Sequence, residues 1–130
     1  MDKATEDKKL RILMIEDCKG DVLLFEHMLG NFKSLCHITD VPRMIDAFKK
    51  IDSNEFDLIM LDLNLIDLDG VGNITAIKAE RPGIPVIVYS GRDDARLREQ
   101  ARTCGASAYL VKGEAGPEAV QQAVVTALAS

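Results

Sequence analysis

Five short apolar runs, each followed by a stretch with helical spacing, constrain this chain more than any other feature. The runs are LRILMI (Leu10 to Ile15), LCHIT (Leu35 to Thr39), FDLIML (Phe56 to Leu61), IPVIVY (Ile84 to Tyr89) and SAYLV (Ser107 to Val111). Each is strand-sized, and the first, third and fourth are apolar almost throughout, as central parallel strands buried on both faces are. Between them the apolar period changes. Asp21 to Leu29 carries Val22, Leu23, Phe25, Met28 and Leu29 on a wide helical face, and Met44, Ile45, Phe48 and Ile51 recur every three or four residues after Pro42, which suits a first helical turn. Val71 to Ala79, Asp93 to Cys104 (with Gly105 as its stop) and Pro117 to Leu128 read as further helices. Strands alternating with helices predict a doubly wound α/β domain, a five-stranded parallel sheet covered on both faces. The expected strand order is 2-1-3-4-5.

The 130 residues suffice for one core and are too few for two, so one domain is expected over residues 10–130 behind a polar tail at 1–9. A net charge of -5 with scattered Lys and Arg argues against direct nucleic-acid binding. No apolar stretch is long enough to span a membrane, and the N-terminus lacks the apolar centre of a signal peptide. Cys18, Cys36 and Cys104 are odd in number and show no metal-ligand spacing, which points to a reducing, cytoplasmic setting.

The polar residues gather where the strands end. Strand one closes on Glu16-Asp17, strand three on Asp62 and strand four on Ser90, and Lys112 follows strand five at once. A lone Asp after a strand is ordinarily a cap or turn residue, Ser90-Gly91 an ordinary turn pair, and Lys112 an ordinary surface lysine. Together they lie on one edge, the edge at which open α/β sheets bind ligands. The expected order sets strands one and three side by side and brings Asp17 against Asp62. Carboxylates crowded in this way either take up a proton or bind a cation. All-oxygen donors without His or Cys favour a hard ion such as Mg2+, which keeps positions open for phosphate oxygens. A lysine and Mg2+ together neutralise a phosphoryl group, and a carboxylate such as Asp62 can be its nucleophilic acceptor.

The segments ILMIEDC, DLIMLDLNLIDLDG, VIVYSG and GASAYLVKG, in this order and spacing, resemble the receiver domains of two-component response regulators over nearly the whole chain, from about Leu10 to Leu128. The resemblance implies a flavodoxin-like (βα)5 fold and a phosphorylation switch. It implies that Asp62 accepts a phosphoryl group from a histidine kinase or a phosphotransfer protein. It implies that Asp17 and Asp62 ligate Mg2+, that the backbone carbonyl of Asn64 joins them, and that Glu16 supports the ion through water. Lys112 is then expected to pair with Asp62 or the phosphate. Ser90 and Tyr109 are expected to move with the phosphorylation state and alter the surface from Arg92 to Cys104, the fifth strand and the last helix. Such a domain catalyses only its own phosphorylation and dephosphorylation. Its output is a downstream protein target or a fused output domain, with no direct contact with nucleic acid or membrane.

Two departures from the family pattern concern the loops. Ile66 stands where many receivers have Pro, and Gly113 follows Lys112 where Pro with a cis bond is usual. Since a non-proline cis bond costs roughly 2.5–4 kcal/mol, a trans bond or a strained one is expected there. Asp67 and Asp69 are read as loop residues, and Gly70 as the residue that lets the loop turn. The alternative function is a receiver-like scaffold that works without phosphorylation. A phosphatase of the haloacid dehalogenase type would need a carboxylate at Asn64, and a flavodoxin-like cofactor site is at odds with the acidic loop EDCKGD. His27 and His37 are expected to be structural or surface residues, and Cys18 to shape its loop.

Overall fold

The computed structural model describes residues 9–64 and 70–129. Among them five strands and five α-helices alternate: β1 Leu10–Ile15, α1 Lys19–Leu29, β2 Cys36–Val41, α2 Met44–Ser53, β3 Leu58–Leu61, α3 Gly72–Glu80, β4 Val86–Ser90, α4 Ala95–Thr103, β5 Ala108–Val111 and α5 Pro117–Ala129. A 3-10 turn over Gly30–Leu35 joins α1 to β2. The sheet is wholly parallel, in the order β2-β1-β3-β4-β5. The expected architecture and strand order are therefore both present. The readings of residues 1–8, Ile66, Asp67, Asp69 and Ser130 lie outside the described residues.

Side chains alternate across the sheet and build two cores. Leu13, Ile15, Ile59, Leu61, Val86 and Val88 face α2, α3 and α4. Ile12, Met14, Leu58, Met60, Ile87 and Tyr89 face α1 and α5. β3 is buried at all four of its positions because it has a strand on each side and helices on each face. This explains its unbroken apolar sequence. No helix among the described residues is long and apolar enough to cross a membrane.

Some element ends differ from the sequence reading, each for a local reason. Pro42 does not open α2. Arg43 is extended (φ -139°, ψ 156°) and is the N-cap, its carbonyl accepting the Ala47 amide at 3.1 Å. Leu35 belongs to the 3-10 turn, so β2 starts at Cys36 and pairs with β1 as far as Val41. β4 starts at Val86, since Pro85 has no N–H to give the ladder, although its carbonyl still accepts from Ile59 at 3.0 Å. Asp94 caps α4 instead of lying inside it. In α1 the turn angle puts Val22, Phe25 and Leu29 in the core and leaves Leu23 exposed, so the apolar face is narrower than the composition suggests.

Candidate functional site

The backbone ladder delivers the polar residues to the C-terminal edge of the sheet. The Glu16 amide donates to the Val41 carbonyl (2.8 Å), the Asp62 amide to Ile15 (3.0 Å) and the Lys112 amide to Ser90 (2.8 Å). Each of these residues thus extends a parallel pairing one step beyond its strand. The pairing of β1 with β3 brings carboxylate oxygens of Glu16, Asp17 and Asp62 within 4.8 Å of one another. Asp17 is the most open of the three, while Glu16 and Asp62 are buried.

Lys112 reaches into this group with a side chain only 11% exposed. Its Nζ lies 2.5 Å from Glu16 Oε1, 2.9 Å from Asp21 Oδ2 and 3.7 Å from Asp62 Oδ2. Lys112 pairs with Asp62, and that contact is the longest of the three. Asp21 was not anticipated as a member of the site. An acidic residue in the first turn of a helix is ordinary in its own right, and the sequence carries no sign that this one meets Lys112.

The other oxygens of the site are also engaged. Glu16 Oε2 accepts from the Cys18 amide at 3.2 Å, and Asp62 Oδ1 accepts from the Asn64 amide at 3.2 Å. Asn64 therefore lies beside the Asp62 carboxylate, held there by its amide. Burial pushes the Glu16 carboxyl up to about 7; the Lys112 hydrogen bond opposes this and the Asp62 charge reinforces it. Lys112 is itself raised, because its bonds to Glu16 and Asp21 and the charges of Asp62 and Glu16 outweigh burial, the largest single influence and an opposing one. With every group ionised, four carboxylates face one ammonium, a formal deficit of three positive charges. Oxygen donors, close spacing and that deficit suit a hard divalent cation in place of a soft one.

Ser90 is fully buried, and its Oγ accepts the Arg92 amide at 3.2 Å. Tyr109 is half-buried on the α4 side of the sheet. Its hydroxyl donates to the Arg92 carbonyl at 2.7 Å, and the Arg98 guanidinium lies 4.8 Å from its ring centroid. Ser90 and Tyr109 thus hold the two sides of one peptide segment at Arg92. The Lys112–Gly113 bond is trans, and Gly113 takes a φ of +86°. Gly113 supplies the turn through the left-handed region, where a side chain would be strained. Gly70 has a φ of +90° and its amide donates to the Leu63 carbonyl at 2.8 Å, so it closes the loop after β3 as expected.

Three residues outside the acidic group complete the description. His27 lies on α1 and the exposed His37 on β2; neither takes part in the carboxylate group. Cys18 is the N-cap position of α1, and its carbonyl accepts from Asp21 and Val22 at 3.0 and 3.2 Å.

The family model for the response regulator receiver domain matches residues 12–124. A gliding motility regulatory protein of Myxococcus xanthus is 32% identical over 125 residues, covering 94% of this chain and 16% of its own length. The swarming motility regulation protein RssB of Serratia marcescens is 34% identical over 110 residues, covering 78% of this chain and 50% of its own. The chain therefore spans half or less of these curated relatives. The crystal structure of the phosphorylated cyanobacterial phytochrome response regulator RcpA superposes with a TM-score of 0.75 at 24% identity, covering 91% of each chain. The sheet order, the carboxylates and lysine at its C-terminal edge, and a match reaching from β1 into α5 agree, and the chain belongs to the response regulator receiver domain family of two-component signal transduction.

Proposed function

We propose that this domain is a phosphorylation switch in which Asp62 accepts a phosphoryl group from a histidine kinase or phosphotransfer protein in the cytoplasm. The observation that carries the reading is the placement of Asp62. It is 6% exposed, has one oxygen on the Asn64 amide, and directs the other toward Lys112 at 3.7 Å. In the transfer, an Asp62 oxygen bonds to phosphorus as the bond to the donor nitrogen breaks, and the donor imidazole leaves with the electron pair. The product is an acyl phosphate.

Asp17 and Asp62, with the Asn64 carbonyl, are the residues that would hold Mg2+, and Glu16 would act on it through water. Bound there, the ion would neutralise phosphoryl charge. Lys112 would contribute the other positive charge, and the Ser90 hydroxyl would turn from the Arg92 amide toward a phosphoryl oxygen. Freeing that amide loosens the segment that Tyr109 also holds. Tyr109 would then turn inward, and the surface of α4, β5 and α5 would change. This is a two-state equilibrium biased by a local charge. A cavity of about 340 Å3 between Arg98, Arg102 and Tyr109 lies on that surface, where a downstream protein or a fused output domain would read the state.

Two findings support this reading over a phosphorylation-independent scaffold: all four polar groups are present at one edge, and the similar RcpA is by its description phosphorylated. Incubation with acetyl phosphate and Mg2+ should add one phosphoryl mass to the wild-type chain and none to Asp62→Asn. Chelation of Mg2+, or Asp17→Asn, should remove the gain. A wild-type chain that gains no mass, or an Asp62→Asn chain that does, rejects the proposal.

A further inference from the structure

Lys112 is shared in an order that the phosphoacceptor reading does not require. Its ammonium has three protons. Glu16 and Asp21 take the two short contacts, and Asp62 stands off at 3.7 Å. Its third proton remains for a phosphoryl oxygen, but any approach of the ammonium to Asp62 is made against the two short bonds that hold it. The two partners are not equal in what they lose. The Glu16 side chain is 1% exposed, whereas Asp21 is 33% exposed and open to replacement water. A buried charge left without its partner is costly, and a partly exposed one is rehydrated. The bond to Asp21 is therefore the one that yields.

The chain supports this from the helix side as well. Asp21 is the third residue of α1, and α1 has no side-chain hydrogen bond at its N-cap. The hydrogen bond found for the Asp21 carboxylate runs to Lys112, 91 residues away, and not to the helix backbone. We propose that Asp21 is a positioning residue that holds Lys112 away from Asp62 and so sets how readily the site accepts and keeps a phosphoryl group. The proposal rests on Asp62 being the acceptor. In it, the first turn of α1 acts as a competitor for the lysine that reaches the carboxylate group. Neutralising that competitor releases the lysine and also removes one negative charge from the crevice, and both changes favour an incoming phosphoryl anion.

The test uses beryllofluoride, a phosphoryl mimic, and acetyl phosphate on the full chain at saturating Mg2+. Asp21→Asn should bind beryllofluoride about 3- to 10-fold more tightly and gain phosphoryl mass faster by a similar factor, as expected for one lost charge-assisted hydrogen bond. Asp21→Glu, which keeps the charge, should stay near wild type. In a Lys112→Met background, Asp21→Asn should lose most of its effect. A merely structural role for Asp21 would weaken mimic binding in step with a lower melting temperature. Unchanged or weaker binding by Asp21→Asn, in a wild-type background that takes up phosphate, overturns the competition while leaving the acceptor assignment intact. Failure of the wild type to gain phosphate overturns both.

Discussion

Glu16 is hydrogen-bonded to a lysine, yet its carboxyl is raised from 4.5 to about 7, because burial and the Asp62 charge outweigh that bond. The sign of its effect on stability follows. Between these two values the folded chain keeps a proton that the unfolded chain has released, so this group favours the fold at the acid end. Its contribution falls as pH rises through the window. Lys112 is shifted upward from 10.5, so its own loss comes at higher pH and does not overlap. Urea unfolding without metal at about pH 5 and 7 should show this decline in the wild type and a flatter profile in Glu16→Gln, with a difference of at most about 3 kcal/mol. The acidic residues at the strand ends could be read from the sequence, because the residue that closes a parallel strand lies at the C-terminal edge of the sheet. Which carboxylate Lys112 meets first could not, because Glu16 and Asp21 are 96 and 91 residues away from it.

At the scale of elements, the helices and strands were visible in their apolar periods, and their ends depended on single hydrogen bonds. Asp94 caps α4, its Oδ1 accepting from the Arg96 and Leu97 amides at 2.9 and 3.1 Å. Asp94→Ala should lower stability, seen as a lower urea midpoint with an unchanged slope. The C-terminal end of α1 is closed from elsewhere. Gln121 on α5 donates to the Met28 and Leu29 carbonyls at 3.1 and 3.2 Å. This ties α1 to α5 on the face that carries Asp21 and Lys112. Period alone marked Leu23 as apolar-face material. Its exposure is a matter of angle, since it lies about 100° around the helix from Val22.

For the whole molecule, two cores share one sheet. Met14 and Ile15 are neighbours in β1 with 1% and 0% exposure, and they point into opposite cores. Met14→Ala and Ile15→Ala should each cost about 2–5 kcal/mol. Each should shift a single unfolding transition followed by circular dichroism and by tyrosine fluorescence alike. Loss of one core with the other intact would appear as two separated transitions. The coupling matters for the site, because α1 and α5 lie on one face with Asp21, and α4 lies on the other with Tyr109. In the proposed switch, the sheet between them would let a charge placed at Asp62 bias both faces.

The sequence by itself determined the parallel sheet and the polar residues at its C-terminal edge. These follow from local chemistry: apolar period, strand length and the residue at each strand's end. Only the tertiary structure decided how the one lysine divides itself among Glu16, Asp21 and Asp62, and how Ser90 and Tyr109 meet at Arg92. The lysine pairings and the Tyr109 bond join residues 17 to 96 positions apart, and the order of the lysine contacts depends on burial and distance, which no local pattern encodes.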